Sequence, residues 1–190
     1  MCIRDRAQKQ SKIYVSPYND PQVIAGQGTV ALELLEQLPR LDVIYVSIGG
    51  GGLISGIGSV IKAFSPKTRV VGVSARNSAA LAASIRAGRN VEVTHSDTLA
   101  DGCAGGIDEG TITLPLATEV IDELIDCSEE QIAEGLRHIA WTEKMLVEGS
   151  AGLAMAAWQA DKIKNNGKVS AVVLCGANFD REQIELIIGS

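Results

Sequence analysis

The feature that most restricts the fold of this 190-residue chain is an apolar run that leads directly into four glycines. Val43–Ser47 is almost continuously apolar, and Gly49, Gly50, Gly51 and Gly52 separate it from the next helical segment. Continuous apolar character is typical of a strand buried on both faces, as in a parallel sheet covered by helices. Glycines at the end of such a strand permit unusual dihedral angles and the close approach of another group to the backbone.

The rest of the chain alternates short β-branched runs with longer segments of helical periodicity. Strands are predicted at residues 13–15, 43–47, 69–73, 121–126 and 171–174. Helices are predicted at about residues 21–38, 53–63, 79–87, 128–140, 149–160 and 181–188, with an irregular segment at 94–112. This order predicts an α/β fold in three layers, a mostly parallel sheet with helices on both faces. Ligands of such sheets bind beyond the carboxyl ends of the strands.

Charge and composition exclude several classes of function. A formal net charge of −6 and an aromatic content of 4% are unfavourable for binding nucleic acid, which requires a basic face or stacking platforms. The four cysteines have neither CxxC pairing nor the spacing of zinc ligands, so no metal site is expected. Residues 1–10 lack the apolar region of a secretory signal, and no apolar stretch is long enough to span a bilayer. We therefore expect a cytoplasmic protein without nucleic-acid or membrane partners.

The four glycines match neither of two common nucleotide-binding motifs. A P-loop ends in Gly-Lys followed by Ser or Thr, but Gly56 is followed by Ile57. A dinucleotide fingerprint requires G-x-G-x-x-G/A and an acidic residue about 20 positions later, and the chain has Val71-Gly72-Val73-Ser74 there. Successive N–H groups at a helix N-terminus do bind anions, so a small phosphorylated cofactor fits better than a dinucleotide. A tight turn without a ligand is the alternative.

Four further stretches occur together with this loop in the order found in one enzyme family. They are Ile24-Ala25-Gly26-Gln27-Gly28-Thr29, Ala100-Asp101-Gly102, Val147-Glu148-Gly149-Ser150-Ala151-Gly152 and Leu174-Cys175-Gly176-Ala177-Asn178. In these motifs the chain resembles the threonine/serine dehydratases and serine racemases, pyridoxal-phosphate (PLP) enzymes of the tryptophan-synthase-like fold, fold type II. The resemblance extends from Lys12 to Gly189. It implies that residues 12–190 form a single α/β domain, the C-terminal part of such an enzyme, after a leader at 1–11 outside the family.

The resemblance also implies roles for individual residues. The backbone N–H groups of Gly49, Gly50, Gly51 and Gly52, with Leu53, are expected to bind the cofactor phosphate. Three further residues are expected at the cofactor ring, and each has a plain structural alternative. Gly102 is expected to let the chain pass close to the ring; the alternative is that it is only a turn glycine. Glu148 is expected on the substrate side of the ring; the alternative is a carboxylate that only begins a helix. Cys175 faces the pyridine nitrogen or is a small buried residue at the end of a strand.

The chain departs from the family pattern at two places. Family members that bind an activating divalent cation carry a V-E-P-like stretch after the third strand, where this chain has Val73-Ser74-Ala75. The Schiff-base lysine of the family lies in an S-x-K-x-R-like motif, and its substrate carboxylate rests on an S-x-G-N-like loop. Neither motif occurs here, and none of the eight lysines has the family context: Lys9, Lys12, Lys62, Lys67, Lys144, Lys162, Lys164 and Lys168.

We therefore expect a PLP-dependent lyase that deaminates a β-hydroxy amino acid such as threonine or serine to a 2-oxo acid and ammonia. This chain is expected to be an inactive fragment that lacks the Schiff-base lysine. Two alternatives stay open: an amino-acid racemase of the same family, and a non-catalytic module that binds a phosphorylated ligand. The family resemblance also implies an amino-acid substrate and a homo-oligomer for the full-length form.

Overall fold

The computed structural model describes residues 3–189. Eight α-helices and four strands follow one another along this part of the chain. They are α1 (Ile3–Lys9), α2 (Pro21–Gln37), β1 (Val43–Ser47), α3 (Gly52–Phe64), β2 (Arg69–Ala75), α4 (Ala80–Ala87), α5 (Thr113–Val120), β3 (Glu123–Cys127), α6 (Glu129–His138), α7 (Gly149–Ala160), β4 (Ser170–Val172) and α8 (Arg181–Ile188). A 3₁₀ turn covers Asp101–Cys103, and a π-helical turn, Ile139–Glu143, continues α6.

The four strands form one sheet in the order β3-β2-β1-β4, and every neighbouring pair is parallel. Val43 lies opposite Arg69 of β2 on one side and opposite Ser170 of β4 on the other. This arrangement confirms the prediction that the strands at 43–47, 69–73 and 171–174 are parallel neighbours. The carboxyl ends of β1 and β4 therefore meet at the same edge of the sheet.

Helices cover both faces of the sheet, which confirms the predicted three-layer α/β fold. Alternate residues of a strand point to opposite faces. Val43 and Tyr45 of β1 face α6, α7 and α8, whereas Ile44 and Val46 face α2, α3 and α5. β1 is the most completely covered strand because all five of its residues are buried.

Three of the helices, α2, α6 and α8, begin at polar residues that the sequence marks as caps: Asp20, Ser128 and Asp180. The Asp20 carboxylate accepts hydrogen bonds from the backbone N–H groups of Gln22 and Val23, at 2.8 and 3.1 Å, with Pro21 in the first turn. Ser128 and Gln131 form a complete capping box at the start of α6. These caps fix where α2 and α6 leave the preceding loops.

α2 and α3 cross at two glycines, and this crossing positions the N-terminus of α3. A Cβ atom at Gly56 would contact the carbonyl oxygen of Ile24 and lie 2.8 Å from the backbone nitrogen of Gly28. A Cβ atom at Gly28 would lie 3.0 Å from the Val60 side chain. The two helices can approach this closely only because both positions lack a side chain.

Several sequence predictions need correction. Residues 13–15 do not form a strand, and Ile13 is 93% exposed because no neighbouring strand pairs with this segment. α1 and α5 were not predicted, β3 begins two residues later than expected, and β4 ends at Val172 instead of residue 174. Within residues 3–189, every helix is too short or too polar to cross a membrane.

Candidate functional site

A cavity of about 270 Å³ lies at the carboxyl ends of β1 and β4. Its volume is slightly below the range of about 300–1,000 Å³ that is usual for small-molecule sites. All eight residues that the sequence analysis singled out line it: Gly49, Gly50, Gly51, Gly52, Leu53, Gly102, Glu148 and Cys175. It is also lined by Pro17, Tyr18, Ser47, Cys103, Ser150 and Gly176, which were not predicted as site residues.

A second, larger cavity of about 580 Å³ lies near His95, Ile107 and Glu109. None of the eight predicted residues contributes to it. We assign the functional site to the smaller cavity because its walls include the glycine loop and the sheet edge where ligands of parallel sheets bind.

The glycine loop lines the cavity and contains a row of unpaired backbone donors. Gly51 has a left-handed φ of +90° and precedes α3 without a side-chain cap. Within residues 3–189, the N–H groups of residues 49–53 donate no hydrogen bond to another protein group. The positive end of the α3 dipole adds to these donors, and together they form the type of site that binds phosphate.

Tyr18 packs against the same loop and was not recognised from the sequence. Cβ atoms at Gly50 and Gly52 would contact Tyr18, the first at its ring and the second 2.7 Å from its Cα atom. The Tyr18 hydroxyl accepts a hydrogen bond from the Asp108 N–H at 2.9 Å. Two of the four glycines are therefore required by this contact as well as by any ligand.

Gly102 lies where two polar side chains meet. A Cβ atom there would be 2.9 Å from Glu148 Oε1 and 2.9 Å from Ser150 Oγ. Ser150 is 2% exposed, and within the described part of the chain its hydroxyl has only the Cys103 thiol beside it, which is a weak partner. A buried hydroxyl without a strong partner is costly, so Ser150 is a candidate contact for a bound ligand. Ser150 lies in the motif at residues 147–152, but its residue type and its place in the first helical turn do not mark it as a site residue.

Glu148 is held by the segment that follows β4. Its Oε2 atom accepts a hydrogen bond from the Asn178 N–H at 2.9 Å, and its own N–H donates to the Gly176 carbonyl at 3.2 Å. Glu148 precedes α7, but its side chain makes no capping hydrogen bond to that helix. The carboxylate therefore connects two of the motifs, and its Oε1 atom is directed toward Gly102.

Cys175 is partly buried in the wall of the cavity. Burial raises the pKa of its thiol, and the nearby Glu148 carboxylate raises it further. Cys103 is more deeply buried, and burial raises the pKa of its thiol to about 11. Both thiols are therefore neutral at pH 7, and neither is an activated nucleophile.

No lysine of the described chain lines the cavity. The same part of the chain contains no group of three His, Cys, Asp or Glu residues arranged to hold a metal ion. The cavity thus offers amide donors, hydroxyls, a carboxylate and thiols, but no amine.

A helix N-terminus with free amides, at the carboxyl edge of a parallel sheet, defines an α/β protein whose site suits a small phosphorylated cofactor. The sequence profile described as "Pyridoxal-phosphate dependent enzyme" matches residues 1–176. The chain belongs to this family, whose cofactor is pyridoxal phosphate, and the resemblance stated above is confirmed.

Known members of the family are similar to the chain in both sequence and structure. The L-threonine ammonia-lyase of Thermotoga maritima is 40% identical over 181 residues, which are 95% of this chain and 45% of the relative. The processed form of threonine deaminase isoform 2 from Solanum lycopersicum has a TM-score of 0.89 at 27% identity, covering 98% of this chain and 55% of that one. Maize serine racemase has a TM-score of 0.85 at 29% identity, covering 96% and 56%. The chain spans about half the length of the relatives it matches.

Proposed function

We propose that this chain forms the phosphate- and ring-binding part of a PLP-dependent lyase. The reaction is the elimination of the β-hydroxyl group from an amino acid such as threonine or serine, which gives a 2-oxo acid and ammonia. The observation that carries the proposal is a single cavity that combines five unpaired backbone amides with a neutral thiol. The relatives named above as threonine ammonia-lyase and threonine deaminase support the same reaction.

The residues present suit the chemistry of the cofactor. The amides of residues 49–53 would hold its phosphate, because charge-assisted hydrogen bonds from backbone N–H groups are strong. Gly102 would allow its ring to approach the backbone, and Ser150 would gain a stronger partner than the Cys103 thiol for its buried hydroxyl. When bound, the cofactor supplies an electron sink for the pair of electrons released at the substrate Cα atom.

Cys175 would face the pyridine nitrogen, and its neutrality bears on the course of the reaction. A carboxylate at this position would stabilise a protonated nitrogen, whereas a neutral thiol does not. Because the Cys175 thiol is neutral, the cofactor bound beside it would supply a weaker electron sink, which would favour loss of the β-leaving group over competing reactions. The raised pKa of the Cys175 thiol keeps it in this neutral form throughout the physiological range.

Glu148 is the proposed catalytic carboxylate. The Asn178 N–H fixes one of its oxygens, and the other is directed toward Gly102, beside the position proposed for the ring. From there the carboxylate can hold or transfer a proton at the leaving hydroxyl group.

Catalysis with this cofactor also requires an amine that holds it and moves the Cα proton. Because no lysine of residues 3–189 lines the cavity, we propose that this chain alone binds PLP without turnover. The similarity to maize serine racemase supports amino-acid racemisation as the second candidate reaction. A module that binds a phosphorylated ligand without catalysis is the third. For the full-length form we propose a homo-oligomer, as the family resemblance implies, and a cytoplasmic location, as the composition indicates.

The test compares PLP with pyridoxal, which lacks the phosphate, by equilibrium dialysis against the purified chain. We expect PLP to bind more tightly, and inorganic phosphate to compete with it. Borohydride reduction followed by mass spectrometry should give only scattered traces of pyridoxyl-lysine, and serine and threonine should yield no keto acid.

Equal affinity for PLP and pyridoxal would refute the phosphate site. Stoichiometric labelling of one lysine together with turnover would refute the proposed inactivity, and chiral analysis of the product would then distinguish lyase from racemase.

A further inference from the structure

Thr113 contacts the glycine loop from outside the cavity. It is the first residue of α5 and is fully buried, and its Oγ1 atom donates a hydrogen bond to the Gly50 carbonyl at 2.7 Å. The Oγ1 atom of Thr111 lies 2.9 Å from that of Thr113. Because the single hydroxyl proton of Thr113 goes to Gly50, Thr111 must be the donor in this pair. Two threonines thus form a short relay that ends on the loop.

This hydrogen bond fixes the direction of the next amide. The peptide bond between Gly50 and Gly51 is trans, so its C=O and N–H groups point in opposite directions. The carbonyl is directed to Thr113, which is not among the residues that line the cavity. The N–H of Gly51 is therefore directed away from Thr113, and Gly51 itself lines the cavity.

A loop of four glycines needs such a restraint. Glycine adopts positive and negative φ angles with similar ease, so the peptide planes of residues 49–52 can rotate at little cost. Rotation of the Gly50–Gly51 plane would turn a carbonyl oxygen toward the cavity. That oxygen would repel an anion that the N–H group would otherwise bind.

The segment that carries Thr113 also restrains Tyr18 and Asn19, which belong to the segment that packs against the glycine loop. The Asp108 N–H donates to the Tyr18 hydroxyl at 2.9 Å, and the Ile112 N–H donates to Asn19 Oδ1 at 2.9 Å. Residues 108–113 therefore contact both the glycine loop and the segment that packs against it.

We propose that Thr113 is a positioning residue for the phosphate site, which it serves by holding the Gly50–Gly51 peptide with its N–H toward the ligand. This inference rests on the proposed function, because it assigns the anion to the phosphate of PLP. Thr113 itself does not touch the ligand.

The test replaces Thr113 by Val, which removes the hydroxyl and keeps the shape of the side chain. Affinities for PLP and for pyridoxal are measured by equilibrium dialysis on the whole chain. We expect Thr113→Val to bind PLP about tenfold more weakly, the effect of losing one hydrogen bond to a charged group. Pyridoxal binding should not change, and Thr113→Ser should restore PLP binding to within about threefold of wild type, since it keeps the hydroxyl.

Thr118→Val is the matched control. Thr118 lies in the same helix and donates an equivalent hydrogen bond to a carbonyl, that of Leu114, at 2.7 Å. It is exposed and does not contact the glycine loop. This variant should keep the wild-type preference for PLP over pyridoxal. If Thr113→Val does not fold, Thr113→Ala removes the same hydroxyl and is measured in its place.

The outcomes separate the two proposals. If the wild-type chain does not prefer PLP to pyridoxal, the proposed function fails. If wild type shows the preference and the Thr113 variants keep it unchanged, the positioning role is overturned. Equal weakening of PLP and pyridoxal would show that Thr113 only stabilises the fold, and it would also overturn the inference.

Discussion

The crossing of α2 and α3 gives a quantitative test of the packing that holds the glycine loop in place. Gly56→Ala adds one methyl group at the point where the two helices are closest. The added Cβ atom would contact the Ile24 carbonyl oxygen and lie 2.8 Å from the Gly28 nitrogen and 2.9 Å from the Gln27 Cβ atom. The two closest of these neighbours are backbone atoms of a helix, so they cannot move aside as the end of a flexible side chain would.

Two opposing effects determine how much Gly56→Ala changes the free energy of unfolding. Ala is favoured over Gly inside a helix by about 1 kcal/mol. Overpacking a buried site costs about 1–3 kcal/mol and occasionally more, and contacts with backbone atoms belong at the upper end, near 3–4 kcal/mol. The net expectation is a loss of about 2–3 kcal/mol in the free energy of unfolding. Because α3 begins at Gly52, a displaced α3 also moves the loop and should weaken PLP binding.

Urea unfolding followed by circular dichroism measures this loss. Gly26→Ala is the control, because Gly26 lies in α2, is exposed and has no atom within 4 Å of the added Cβ position. That variant should be more stable than wild type by about 0.5–1 kcal/mol, the effect of helix propensity alone. A Gly56→Ala variant as stable as wild type, or more stable, would refute the argument from close contact.

Two further predictions concern the thiols of the cavity. Burial raises the pKa of Cys103 from 9.0 to about 11, so between pH 9 and 11 the unfolded chain loses this proton and the folded chain keeps it. Titration of Cys103 should therefore lower the free energy of unfolding by about 2–3 kcal/mol as pH rises through that window. The Cys103→Ala variant lacks the thiol, so its free energy of unfolding, measured with urea at the same pH values, should fall by correspondingly less. The raised pKa of Cys175 predicts that iodoacetamide modifies it more slowly than glutathione at pH 8, and that PLP protects it further. Modification as fast as that of glutathione, or without protection by PLP, would contradict its place in the wall of the site.

The sequence predicts the central elements well where local pattern and tertiary environment agree. β1 and α7 have the predicted bounds, 43–47 and 149–160, because each is almost continuously apolar or small and is buried in the structure. The starts of α2 and α6 agree with the predicted helices because their caps, Asp20 and Ser128, depend only on neighbours in sequence.

The errors occur where a partner distant in sequence decides the outcome. Residues 13–15 have the composition of a strand, but strand propensity has no effect without a neighbouring strand to pair with. α5 contains Pro115 in its first turn, where proline is tolerated, and it follows a glycine-rich segment that obscures its start.

The site shows the same division between local and distant information. The glycine loop and the motif residues could be identified because their pattern along the chain is characteristic. Tyr18 and Thr113 could not, because each acts through contacts with segments far away in sequence, and Ser150 lies in a quoted motif but was given no role of its own. Their residue types carry no special signal.

The pairing of β4 with β1 also determines when the cavity can form during synthesis. Val43 pairs with Ser170, so β1 is made long before its second neighbour exists. At a synthesis rate of about 5–20 residues per second, the segment that carries Cys175 is made on the order of ten seconds after the glycine loop. Contacts so distant in sequence form late, because closing the long loop between them costs chain entropy before the contacts can stabilise the fold. Until then one edge of β1 remains open to pairing with other chains. PLP can stabilise only the completed structure, so it cannot act as a template for the early steps of folding.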